Sequence, residues 1–364
     1  MSLIETRGLQ KVFRQAVKDP GLAGAVKHLF TQRHRDKYAV EGIDLKIEEG
    51  ETVAYVGPNG AGKSTTIKML SGVLVPSGGE LLVDGLVPYK HRMENAQRIG
   101  AVFGQRTQLW WDIPVRESLS LLRDIYQVPA DTFKRNMDTF TELLGMESFL
   151  HLSARKLSLG QRMRADLAAA LLHDPKIVYL DEPTIGLDVA VKHRIRDFIK
   201  EMNRSKGTTM LLTTHDLGDI EDLCERLVII DQGRIIYDGK LQEVKDTFAR
   251  ERTIHTQLST PIPGAEELFR DLPDVSVERP GNAGDDNGAA ETTGTTGTVG
   301  DQLTLSIRFD RFRCTASEIV KRLMSRGEVV DFRIDEPSIE QIIRRVYDGQ
   351  LDSAALSAAG KGRA

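Results

Sequence analysis

Gly57-Pro58-Asn59-Gly60-Ala61-Gly62-Lys63-Ser64 fits the spacing G-x-x-x-x-G-K-[ST]. Glycines at these points let successive backbone N–H groups turn inward around phosphate oxygens. A helix beginning near Thr65 adds its positive N-terminal end, so backbone alone makes an anion site. Lys63 is expected to reach the β- and γ-phosphates of a nucleotide, and the Ser64 hydroxyl to sit on Mg²⁺. A second chemical feature is the apolar run Ile177-Val178-Tyr179-Leu180, which ends in two adjacent acids, Asp181 and Glu182. Carboxylates at the end of such a strand fall at the carboxyl edge of a sheet, beside the bound phosphates. Phosphoryl transfer needs charge stabilisation and a placed nucleophile more than covalent chemistry, and this pair can supply both.

The elements that must position these groups have the rhythm of a parallel α/β core. Short apolar patterns at Leu3–Val12, Ala39–Ile47 and Thr52–Val56 predict strands, the last running directly into the glycine-rich loop. From Trp111 to about Leu152 the pattern is helical, punctuated by Pro114, Pro129 and Gly145. Strands return at Lys176–Leu180, Thr208–Thr213 and Leu227–Ile230, alternating with helices. Residues 14–37 read as an insert rich in Lys, Arg and His. Within it Leu22, Ala25, Val26, Leu29 and Phe30 fall on one helical face with Lys27, Arg33, Arg35 and Lys37 near its end. Such a helix either packs on the chain's own core or meets a partner protein or anionic lipid headgroups.

Further segments follow one another in the order of a known family. Ile177–Glu182 resembles the Walker B element of ABC ATPases, and Leu157-Ser158-Leu159-Gly160-Gln161 resembles their signature sequence, with Leu159 where glycine is usual. Pro183-Thr184-Ile185-Gly186-Leu187-Asp188 resembles the D-loop, Thr214-His215-Asp216 the switch histidine, and Gln105 after Ile99–Phe103 the Q-loop glutamine. The resemblance covers Leu3 to about Lys240. It implies a P-loop NTPase cassette with a RecA-like core, an antiparallel β subdomain and a helical subdomain at about 106–165. It also implies ATP and Mg²⁺ as ligands, with Gly57, Pro58, Asn59, Gly60, Ala61, Gly62, Lys63, Ser64 and Thr65 on the nucleotide. Asp181, Ser64 and Gln105 are implied on the metal, Glu182 on the attacking water, and His215 on the γ-phosphate and water. Ser158, Gly160 and Gln161 would act across a dimer, the signature of one subunit capping the γ-phosphate held by the other, and Asp188, the D-loop acid, is implied on the nucleotide. An aromatic side chain should stack on adenine, with Phe13 and Tyr38 as rivals.

Bulk properties agree with this reading. The 364 residues, 40% hydrophobic and 28% charged, fit one large domain and an appendage rather than a disordered chain. A net charge of -4 gives no field that would gather nucleic acid over the whole surface. Cys224 and Cys314 stand at no metal or redox spacing, which points to a reducing, cytoplasmic compartment. The N-terminus lacks a secretion signal, and no apolar run approaches the roughly 20 residues needed to span a bilayer. Any membrane role is therefore expected to be peripheral, at the inner face of the cell membrane.

The nucleotide-binding domain is expected over 1–245 and a smaller α+β domain over 250–348, interrupted by a Gly/Thr-rich loop at 281–300, with a fraying tail at 349–364. Strand candidates in the smaller domain are Thr253–Leu258, Val275–Glu278, Leu303–Phe309 and Val329–Ile334, with helix candidates at Ala265–Arg270 and Ala316–Arg326. Its end, Asp335-Glu336-Pro337-Ser338-Ile339-Glu340-Gln341-Ile342-Ile343, resembles the C-terminal extension of drug, antibiotic and sodium efflux ATPases. Those work with ABC-2 type permeases. One cassette and no membrane span imply a homodimer with a separate permease, no nucleic-acid partner, and a possible contact with the membrane surface. In the family the coupling helix of the permease meets the region just past the Q-loop, here Leu109-Trp110-Trp111. The two tryptophans are either a permease anchor or a buried pair. A soluble ABC ATPase acting on ribosomes or DNA is the alternative, lacking here the second cassette or long coiled coil such proteins carry.

Overall fold

The computed structural model describes residues 2–16, 34–104, 106–248, 251–278 and 304–335. The amphipathic helix expected within the insert, Gln105, the Gly/Thr-rich segment, the end of the smaller domain and the tail lie outside the described residues. The chain divides into two compact units, one within residues 1–241 and one within 242–351.

In the first unit, β1 (Ser2–Ala16) and β2 (His34–Glu48) form a long antiparallel hairpin. Pairing continues through Arg14↔Asp36, Gln15↔Arg35 and Ala16↔His34, so residues 14–16 and 34–37 belong to the hairpin and not to the insert. Ladder hydrogen bonds carry the strands beyond the point where their apolar alternation ends. Next come β3 (Thr52–Val56), α1 (Lys63–Leu70), β4 (Gly78–Val83), α2 (Arg92–Arg98) and β5 (Ile99–Phe103). β4 pairs with the other edge of β1, giving a three-stranded sheet β2-β1-β4.

Three helices follow, α3 (Val115–Ile125), α4 (Ala130–Leu144) and α5 (Leu159–Leu171). Pro114 and Pro129 occupy the N-cap positions of α3 and α4, where a missing N–H costs nothing, and Gly145 ends α4 at φ 58°. The remainder is β6 (Ile177–Asp181), α6 (Val189–Lys206), β7 (Thr209–Thr213), α7 (Leu217–Leu223), β8 (Arg226–Asp231) and β9 (Arg234–Lys240). The main sheet has the order β5-β6-β7-β3-β8-β9, parallel except for β8 against β9. Ile177 to Leu180 are buried on both faces, as are all residues of β7, which explains why these strands read as unbroken apolar runs rather than alternating ones. Among the described residues, no helix is long and apolar enough to cross a membrane.

In the second unit, α8 (Leu241–Phe248) leads to β10 (Glu251–Leu258), β11 (Val275–Glu278), β12 (Thr304–Asp310), α9 (Ala316–Met324) and β13 (Val329–Asp335). The strands form an antiparallel sheet β11-β12-β10-β13, the order of a split β-α-β arrangement. Ile254, Leu305, Ile307, Phe309, Ile319 and Leu323 make its core. The helix expected at Ala265–Arg270 is only a 3₁₀ turn, Ala265–Phe269. Gly264 enters it at φ 68° and Pro273 disfavours helix at Leu272, leaving room for little more than one turn.

Candidate functional site

The glycine-rich loop sits between β3 and α1 at the carboxyl edge of the main sheet. Gly62 has φ 110°, and a Cβ there would fall 2.4 Å from the Ala39 carbonyl oxygen, so both backbone angle and space demand glycine. The helix begins at Lys63, two residues earlier than the sequence suggests. Lys63 is buried and folded back on its own loop, its Nζ donating to the carbonyls of Gly57 at 2.5 Å and Pro58 at 3.2 Å. Burial lowers the pKa of its ammonium, while the Glu182 and Asp181 carboxylates act to hold the charge.

The two acids at the end of β6 meet the loop from the neighbouring strand. The Ser64 hydroxyl donates to Asp181, 3.0 Å from Oδ2, across 117 residues of sequence. Thr213, at the end of β7, donates its hydroxyl to Asp181 Oδ1 at 2.6 Å and accepts from the Glu182 N–H at 3.2 Å. Glu182 itself has φ 54°, a left-handed conformation unusual for a residue with a long side chain. His215 Nε2 lies 3.1 Å from Glu182 Oε1, which requires the proton on Nε2 because an ionised carboxylate only accepts. Lys63, Ser64, Asp181, Glu182 and His215 therefore converge, although the chain separates the first from the last by most of the unit.

The donor set suits magnesium. Ser64 and Asp181 offer hard oxygens in contact with one another, whereas no group of three or more His, Cys, Asp or Glu among the described residues is arranged to hold a metal ion. Ser64 and Asp181 would give such an ion two hard oxygen ligands.

The signature segment is a helix start. Ser158 is the N-cap of α5, its hydroxyl accepting from the Gln161 N–H at 3.2 Å while the Gln161 side chain accepts from the Ser158 N–H at 2.9 Å. Asp188 likewise caps α6, accepting from Val191 N–H at 2.9 Å. These two helix starts are neighbours: a Cβ at Gly186 would meet Leu159 and one at Gly160 would meet Val191, both at 3.3 Å. Among the described residues, no hydrogen bond or ion pair joins Ser158, Gly160, Gln161 or Asp188 to the phosphate loop of the same chain.

Phe13 and Tyr38 are both exposed on the hairpin. Val12 stands opposite Tyr38 and Phe13 opposite Lys37, so the two rings project from opposite faces. Lys11 Nζ lies 5.3 Å from the Phe13 ring centroid. Of the segment past residue 105, Trp110 is 40% and Trp111 49% exposed, which excludes the buried pair. Leu109 is buried and cannot offer its side chain to a partner.

Two residues that sequence reasoning missed support this edge. Asp219, fully buried, accepts from the hydroxyls of Thr184 and of Thr214, the latter at 2.8 Å, and from Arg196 Nε at 2.7 Å, tying the segments on either side of the acids together. Asp166 on α5 holds the turn that carries the tryptophans. The only signal available for Asp166 was an acid entering the apolar run Leu167–Leu171, and Asp219, in a helix with two other acids, gave none.

The model of the ABC transporter family matches residues 40–185. The chain is 33% identical over 225 residues to the ABC transporter ATP-binding protein NatA of Bacillus subtilis, covering 61% of this chain and 91% of that protein. It is 35% identical over 213 residues to the Nod factor export ATP-binding protein I of Ralstonia nicotianae, covering 58% of this chain and 66% of that one. A dimeric ATP-binding cassette in a post-hydrolysis state, bound to ADP and Pi, superposes with a TM-score of 0.55 at 25% identity, covering 65% of this chain and 98% of that structure. Sheet order, convergent site and relatives agree, and the chain belongs to the ATP-binding, ATP-hydrolysing subunits of ABC transporters.

Proposed function

We propose that two copies of this chain clamp two ATP molecules between them and use their hydrolysis to drive export through a separate ABC-2 type permease. The observation that carries this reading is the division of the site. Lys63, Ser64, Asp181, Glu182 and His215 gather at one edge, whereas the Ser158–Gln161 helix start makes no bond to that cluster within the chain. A second protomer can supply what one lacks. NatA and the Nod factor export protein are named as transporter or export subunits, which favours export and leaves the ribosome- or DNA-directed alternative without support.

Each side chain then has a task. Lys63 exchanges its carbonyl partners for phosphate oxygens, and the loop N–H groups hold the β-phosphate. Asp181 and Ser64, with Gln105, would hold Mg²⁺, which when bound neutralises phosphate charge. Glu182 orients the attacking water and accepts its hydrogen bond, while His215 holds Glu182 at its far oxygen and reads the γ-phosphate. Ser158, Gly160, Gln161 and Asp188 act on the ATP of the partner subunit.

The domain assignment follows: 1–245 binds nucleotide, and 250–348 is an accessory domain. Exposed Trp110 and Trp111 form the permease contact, placing the protein at the inner face of the membrane. Sedimentation of the full-length chain with and without MgATP tests the composite site. Glu182→Gln with ATP is expected to run as a dimer, and a monomer at saturating ATP would refute the reading.

A further inference from the structure

Asp166 lies in the middle of α5, the helix that the signature segment opens, within the run Ala165-Asp166-Leu167-Ala168-Ala169-Ala170. It is 4% exposed, and burial pushes its carboxyl up to about 6. An apolar residue would sit there at less cost, so the carboxylate is explained by what it binds. Its Oδ1 accepts from the Thr107 hydroxyl at 2.8 Å and from the Gln108 N–H at 2.9 Å. Thr107 Oγ1 accepts in turn from the Leu109 N–H at 3.1 Å.

Arg162 stands four residues earlier on the same helix and therefore on the same face. Its guanidinium lies 4.8 Å from the Trp111 ring centroid. Arg155, just before the signature, donates its N–H to the Trp111 carbonyl at 3.1 Å and pairs with Asp112 at 3.1 Å. The turn 107–112, which carries both tryptophans of the chain, is thus fastened at Thr107, Gln108, Trp111 and Asp112 to α5 and the segment that enters it. Trp110 N–H donates to the Ser118 hydroxyl of α3 at 3.2 Å, and Gln108 Nε2 to the Ala101 carbonyl of β5 at 2.6 Å.

We infer that Asp166 is a positioning residue that makes the Trp110–Trp111 turn and the signature helix move as one body, so that nucleotide capture at Ser158–Gln161 is felt at the tryptophans. The inference rests on the composite site proposed above. Thr107 and Gln108 are hydrogen-bonded to Asp166 and not merely packed on it, so the link resists displacement in direction as well as distance. A permease seated on the exposed indoles would sense the state of the nucleotide through this strut.

Because Trp110 and Trp111 are the only tryptophans, intrinsic emission reports on the turn alone. In full-length protein carrying Glu182→Gln, MgATP is expected to change tryptophan emission as the protomers pair. Adding Asp166→Ala should abolish that change while ATP half-saturation stays within about twofold, since the hydrogen bonds of Asp166 run to Thr107 and Gln108 and not to the phosphate loop. Asp166→Asn keeps an oxygen acceptor and should restore the change; Thr107→Val, which removes one bond and the Leu109 acceptor, should reduce it. An emission change that persists undiminished in Asp166→Ala, or in Thr107→Val should the alanine variant not fold, overturns the inference. Pairing without any tryptophan response overturns it too and leaves the composite site intact, whereas failure to pair refutes the composite site itself.

Discussion

His215 Nε2 and Glu182 Oε1 stand 3.1 Å apart, joining the end of β7 to the end of β6 next to the Ser64–Asp181 contact. The contact holds the carboxylate by one oxygen and leaves the second available to another partner. Glu182→Gln is expected to bind ATP normally and lose about 100-fold or more in turnover. His215→Ala should lose turnover with little change in ATP affinity, because it removes an orienting contact. Steady-state hydrolysis alongside nucleotide titration separates the two effects, and normal turnover in Glu182→Gln would remove that residue from the role.

The direct Ser64–Asp181 hydrogen bond predicts that the two share one task. Ser64→Ala and Asp181→Asn should each raise the magnesium concentration for half-maximal turnover by about tenfold or more. The double variant should be scarcely worse than Asp181→Asn alone, since partners in one site are not additive. A magnesium titration of the four proteins checks this, and fully independent effects would break the pairing.

Opposite projection of Phe13 and Tyr38 means that only one can meet the base. Stacking of a base on an aromatic side chain contributes about 1–3 kcal/mol, so one alanine variant should lose roughly tenfold in ATP affinity and the other almost nothing. Titration with a fluorescent ATP analogue distinguishes them; equal losses would contradict the geometry of the hairpin.

His173 predicts a dependence of stability on pH. Burial depresses its pKa to about 4, its Nε2 donates to the Ile99 carbonyl at 3.0 Å, and its buried Nδ1 has no partner to receive a second proton's charge. The unfolded chain binds that proton near pH 6.5, so the contribution is complete above that value. It declines by about 1.4 kcal/mol per pH unit as pH falls toward 4. Asp166 has the opposite sign: with its folded value raised to about 6, its protonation stabilises the fold as pH drops below 6. Urea midpoints of His173→Gln and the unaltered protein should therefore draw together between pH 6.5 and 4.5. A gap that stays constant would show that the ring is charged in the fold.

Much of this site is legible along the chain because its demands are local. The phosphate loop must have glycine where φ is positive and Lys-Ser where the helix starts, and the strand before Asp181 must be apolar because both its faces are covered. Asp166 and Asp219 were not legible because their partners, Thr107 and Thr184, lie 59 and 35 residues away and the distance along the chain says nothing of proximity in space. The same limit applies to Leu109, Trp110 and Trp111. Adjacent apolar residues in a turn carry no periodicity, and only the folded turn separates a buried leucine from two exposed indoles.

The left-handed backbone at Glu182 has an evolutionary meaning. Glycine would occupy φ 54° without steric penalty, so the chain holds a residue here that makes the fold less stable than it need be, by on the order of 1 kcal/mol. Glu182→Gly should consequently melt higher than the natural protein while being unable to turn over ATP. A library selected for thermal tolerance alone would drift toward that dead enzyme, and only selection through hydrolysis would keep the carboxylate in place.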